Sequence, residues 1–108
     1  MKKPTEKNFT EQVADIGEFT FRYTTLLDEV QIDNLARQFL RGNENPSVSA
    51  GNIATMIATL KVAVTKAPEG FSLEELYNYD ELKAVYDRYS AKVFSFRFNR
   101  GDQDGGAE

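Results

Sequence analysis

The sequence predicts a small α+β domain, mostly α. It would hold an N-terminal β-hairpin packed on a bundle of about three helices, with a disordered acidic C-terminal tail. Three observations predict it. Phe19, Phe21 and Tyr23 alternate with Thr20, Arg22 and Thr24, the period of a half-buried strand. Three later stretches repeat apolar residues at three- and four-residue spacing, the period of an α-helix. The chain has 108 residues, the size of one domain.

Residues 1–8 are polar and read as a flexible N-terminus, residues 9–98 as the single domain, and residues 99–108 as the tail. Phe9 to Val13 and Glu18 to Thr24 read as strands, with a hairpin turn at Asp15-Ile16-Gly17. A hairpin alone is marginal in water, so its aromatic face needs a helix against it. The first helix starts at Thr25, which with Asp28 resembles a capping box, and Asp28 and Glu29 suit the positive helix end. Ile32, Leu35, Ala36, Phe39 and Leu40 form its apolar face. Gln31, Asp33, Asn34, Arg37 and Gln38 take the outer one. Gly42 is placed to close the helix in a left-handed turn.

After the loop Gly42–Ser47, a second helix capped by Ser47 or Ser49 is expected to run to Ala67, where Pro68 stops it. This helix is apolar on two faces. Ile53, Met56, Ile57, Leu60, Ala63, Val64 and Ala67 form one stripe; Ala54, Ala58 and Val62 form the other. Such a helix is central to its domain or central to an assembly, and both readings stay open. Pro68-Glu69-Gly70-Phe71 reads as a turn with an aromatic anchor. Ser72-Leu73-Glu74-Glu75 reads as a capping box opening a short turn of helix through Tyr77. A third helix from Asn78 or Asp80 turns Leu82, Val85, Tyr86, Tyr89 and Val93 inward. Phe94 to Phe98 has period 2 and reads as a frayed helix end or a short strand.

Composition narrows the chemistry. There is no cysteine and no histidine, so thiol catalysis, disulfides and the commonest acid–base group and metal ligand are missing. A net charge of −4 makes the chain a poor binder of phosphate backbones. The start lacks the apolar core of a secretion signal, and no apolar run reaches membrane-spanning length, so a cytoplasmic protein is expected. Glu74-Glu75 and Asp80-Glu81 could be metal ligands or an acid–base pair. Helix-end compensation explains them better, because no third ligand cluster joins them. Gly101, Gly105 and Gly106 do not make a phosphate loop, and Arg100-Gly101-Asp102 matches an adhesion tripeptide by coincidence. Tyr77, Tyr79, Tyr86 and Tyr89 suggest a stacking surface, but Tyr86 and Tyr89 fall on the core stripe. No catalytic, cofactor or metal residue emerges. The candidate partner-binding residues are Phe94, Phe96, Arg97 and Phe98, typical interface anchors, and the small face Ala54, Ala58 and Val62.

The pattern resembles the tail assembly chaperones of long-tailed bacteriophages and prophages. The resemblance is carried by Gly17-Glu18-Phe19-Thr20-Phe21-Arg22 leading into Thr25-Leu26-Leu27-Asp28-Glu29, and by the loop Gly42-Asn43-Glu44-Asn45. Leu60 to Phe71 (LKVAVTKAPEGF) and the Tyr79 to Tyr89 helix ending in VFSFR complete it. It covers roughly residues 9–98, and Lys66 to Phe71 is its most specific part. The resemblance implies a non-enzymatic helper without cofactor, working in the host cytoplasm. It would bind the aggregation-prone tape-measure protein while tail-tube subunits polymerise around it, then stay out of the virion. It further implies self-association and a longer frameshifted form joined through the tail. The alternative is a structural head–tail joining or tail-completion subunit that remains in the particle.

Overall fold

The computed structural model describes residues 4–98, with the backbone alone for 96–98. The tail expected at 99–108 lies outside the described residues. The elements in order are β1 (Asn8–Val13), β2 (Gly17–Arg22), α1 (Leu26–Phe39), α2 (Val48–Ala63), β3 (Val64–Lys66), a 3-10 turn (Leu73–Glu75) and α3 (Tyr79–Phe98). The α+β class and the hairpin-on-helices plan are both present, with one strand more than the sequence predicts.

β1 and β2 pair antiparallel, Phe9 opposite Phe21 and Glu11 opposite Phe19. Alternation puts Phe9, Glu11, Val13, Phe19 and Phe21 on the face that meets the helices. Phe19 and Phe21 are fully buried there. On the other face the hydroxyls of Thr10 and Thr20 lie 3.1 Å apart. The turn runs through Ala14, at φ 39°, and closes on Gly17, at φ 140°. Gly17 cannot be replaced freely: a Cβ there would sit 2.6 Å from Cγ of Pro68.

That contact goes with a correction. α2 does not run to Ala67; it ends at Ala63, and Val64–Lys66 pair with β2 as a third antiparallel strand. Phe21 faces Val64 and Thr20 faces Lys66, with an irregularity between the two pairs. Val64 and Thr65 are β-branched and suit extended backbone, and the unpaired side of β2 offers them ladder hydrogen bonds in place of helical ones. Pro68 is therefore no helix stop. It is a packing piece laid on Gly17.

The two apolar faces of α2 are covered within the chain except at Ile53, which the sequence puts on the core stripe and which is exposed. On one, Ala54 and Ala58 are buried against Ile32 and Ala36 of α1, with Leu35, Leu40 and Val62 alongside. On the opposite face, Leu60 and Ala63 join Phe9, Val13, Phe19, Phe21, Leu82, Val85, Tyr89 and Val93 in the main core. α2 is thus central to the domain. Of the candidate partner-binding residues here, Ala54 and Ala58 are buried against α1 of the same chain, which corrects that expectation for these two, and Val62 is partly buried beside them. Their small side chains let α1 of the same chain approach closely, and Ala58 has no exposed surface.

Local signals mostly hold. Thr25 and Asp28 form a reciprocal capping box, and Ser47 caps α2 by accepting from the Ala50 amide at 3.1 Å. The Asn78 carboxamide accepts from the Asp80 amide at 2.7 Å, opening α3. The box expected at Ser72 does not form: its side chain makes no cap bond, and its hydroxyl meets the Glu74 carboxylate at 3.4 Å. Glu74 is also drawn to Lys61 of α2, and the turn ends at Glu75. The Phe94–Phe98 stretch continues α3 as helix. No helix among the described residues is long and apolar enough to cross a membrane.

Candidate interaction surface

One side chain fixes the start of α1. Arg22, at the end of β2, donates from Nη1 and Nη2 to both carboxylate oxygens of Asp28, at 2.9 and 3.0 Å. Its Nε donates to the Val62 carbonyl of α2 at 3.1 Å. Asp28 also accepts from the Thr25 amide at 2.8 Å, closing the cap. The Arg22 hydrogen bonds hold the Asp28 carboxyl below its ordinary range; partial burial opposes this. The guanidinium is pushed up in return, chiefly by Asp28. Strand, first helix and second helix therefore meet at one charged joint.

With its inner face fixed on α2, α1 turns the opposite face to water. Leu26 is 78% exposed, Leu27 70% and Val30 60%. Val30 neighbours both leucines, at i+4 from Leu26 and i+3 from Leu27. Glu29 and Asp33 flank them on one side and Gln31 on the other, while Asn34 and Arg37 continue their line along the helix. Asp33 pairs with Arg37 at 2.9 Å. Nearer the loop that joins the two helices, Phe39, Val48 and Ile53 are also exposed. Among the described residues, every large aliphatic side chain on the surface belongs to α1 or α2. Isolated exposed apolar residues are ordinary, but three adjoining ones on a fixed helix form a patch. The sequence reading did not assign these three to a face. The available signal was Val30, two residues before Ile32 and so about half a turn from the core stripe.

Of the predicted partner residues, Phe94 is 59% exposed on α3, while the side chains of Phe96, Arg97 and Phe98 lie outside the described residues. Tyr89 is buried, its hydroxyl sharing a hydrogen bond with Thr24, and Tyr86 packs partly buried against the main core. Tyr77 and Tyr79 are exposed near the start of α3. Glu74 is paired with Lys61, whose hydrogen bond lowers the carboxyl pKa. Among the described residues no group of three or more His, Cys, Asp or Glu is placed to hold a metal ion.

The stretches Gly17–Arg22 and Val64–Phe71 meet in space. Gly17 receives the Pro68 ring, Phe19 takes Phe71 edge-on with centroids 4.8 Å apart at 89°, and Thr20 and Phe21 pair with Lys66 and Val64. No family model, no curated protein and no solved structure matches this chain. In this chain the two stretches serve packing: glycine, proline and two phenylalanines interlock where the hairpin meets the turn after β3. The adjoining exposed aliphatic side chains Leu26, Leu27 and Val30 lie elsewhere, on α1.

Proposed function

We propose that this protein is a non-enzymatic phage tail assembly chaperone that binds and solubilises the tape-measure protein during tail-tube assembly in the host cytoplasm. The observation that carries the reading is the water-facing trio Leu26, Leu27 and Val30 on a helix pinned by Arg22. A holding chaperone needs apolar surface that a client can take and leave, on a support that does not collapse onto it. The resemblance of residues 9–98 to this family supplies the client. Self-association, contact with tail-tube protein and a longer frameshifted form belong to the same proposal.

The test is co-expression with the tape-measure protein of the same genome, with and without this chain, reading the client's soluble fraction and co-purification. Soluble, co-eluting tape-measure protein is the expected result. An unchanged soluble fraction with nothing co-eluting overturns the reading. Stoichiometric presence in purified particles would replace it with the head–tail joining or tail-completion role.

A further inference from the structure

We propose that α1 is a lid: it opens from α2 as one unit, with the Arg22–Asp28 pair as its latch, while the main core stays closed. The closed form dominates, and the open one is a minor state in exchange with it. Opening uncovers the Ala54, Ala58 and Val62 stripe of α2 together with the inner side of α1. It needs no client, so it stands apart from the chaperone reading.

The two cores are separate. Among the described residues, the main core and the side chains packed against it include none from α1. The second core is lined from 32–40 and 54–62 alone, with Ile32, Leu35 and Ala36 against Ala54, Ala58 and Val62. α2 is the wall they share. Lifting α1 off that wall empties the second core and leaves the apolar packing of the main one in place. Units of partial opening follow boundaries of this kind.

The ends of α1 suit hinges. Before it, Thr24 is buried, and its hydroxyl shares a hydrogen bond with that of Tyr89 in α3. The chain is thus anchored one residue ahead of the cap Thr25, where extended backbone turns into helix. After it, residues 41–49 are all exposed. That linker can swing without drawing buried side chains into water. The outer face, at Leu26, Leu27 and Val30, already lies largely in water, so opening changes little there.

The latch sits at the near end. Arg22 bonds the Val62 carbonyl of α2 as well as Asp28 of α1. When α1 lifts, Arg22 can keep its bond to α2 and has only Asp28 to release. The Arg22 side chain is 36% exposed and that of Asp28 17%, so water replaces the lost bonds and the release is reversible.

The experiment is amide hydrogen exchange of the full chain, labelled with nitrogen-15, in urea below the unfolding transition. Amides 30–39 of α1 are expected to exchange as a group, at least about tenfold less protected than amides 83–93 of α3. Their urea dependence should be shallower, because the open form exposes less surface than the unfolded chain. Variants separate lid opening from global unfolding. Weakening a contact that opening breaks lowers protection in α1 and α3 by the same factor. Weakening the main core lowers it in α3, since that core is intact both closed and open. Ile32→Val and Asp28→Asn should therefore lower both helices alike, by about threefold to tenfold. Val85→Ala should lower α3 at least about tenfold and α1 far less; Val13→Ala, across the same core, makes the same test should Val85→Ala fail to fold. Three results overturn the lid: equal protection and urea slope in both helices, a loss in α1 as large as in α3 with either core variant, or α1 amides that exchange one by one from its ends. Asp28→Asn that lowers α3 and leaves α1 unchanged overturns the latch.

Discussion

Arg22 donates to Asp28 and to the Val62 carbonyl at once, so its removal strands acceptors on two helices. Arg22→Gln is expected to cost about 1–2 kcal/mol, because a partly exposed charged pair is screened by solvent; urea melts read this directly. The joint also sets an acid limit. The folded Asp28 carboxyl sits below the ordinary aspartate value of about 3.9. Its contribution to stability is therefore complete above that value and fades as the pH falls through the lower folded one. Thermal melts from pH about 5 down to about 2 should show a shallower acid loss in Asp28→Asn than in wild type. Gly17 is constrained differently. Its φ of 140° and the Pro68 ring at 2.6 Å from any Cβ leave alanine strained and crowded, and a proline ring cannot swing aside as a flexible chain would. Gly17→Ala should destabilise by roughly 2 kcal/mol; a denaturation midpoint equal to wild type would show that Pro68 does not crowd this position.

The helices differ in how firmly they are held. Leu60 has no exposed surface in the main core, so Leu60→Ala should cost ~2–5 kcal/mol and Leu60→Asp should abolish the cooperative melt. Leu27→Ala, on the exposed face, should stay within about 0.5 kcal/mol of wild type. α1 packs through a small second core of Ile32 and Ala36, whereas α3 feeds Leu82, Val85, Tyr89 and Val93 into the large one. Hydrogen exchange is therefore expected to open α1 before α3. At this scale the sequence was legible wherever one face alone was buried. The alternation Phe19/Phe21/Tyr23 and the stripe Leu82/Val85/Tyr89/Val93 each point one way. β3 was hidden because Val64 and Ala67 continue the spacing of the α2 stripe, and only the distant, unpaired side of β2 makes the extended form win. The exposure of Leu26, Leu27 and Val30 was hidden for a related reason. Leu26-Leu27 beside Asp28 reads like the opening of a core helix until the position of α2 decides which side is inside.

Across the described residues, the three-stranded sheet has an edge that the helices do not pair. The aliphatic exposure gathers on α1 and α2, while β1 carries a carboxylate on the side that meets the helices. Glu11 shares that face with the buried Phe9 and Val13, and it is answered from α3 by Arg88 at 3.3 Å and Lys92 at 3.8 Å. Among the described residues β1 pairs only with β2, so its other edge is an edge strand of the sheet. A strand added there would have to extend an apolar layer whose middle position is a glutamate paired with Arg88 and Lys92. Glu11→Val should therefore keep the fold yet turn the chain towards sheet-to-sheet growth, seen as thioflavin-positive aggregates absent from wild type. Glu11, held by Arg88 and Lys92, thus places an acidic side chain in the layer that any strand added beside β1 would have to extend.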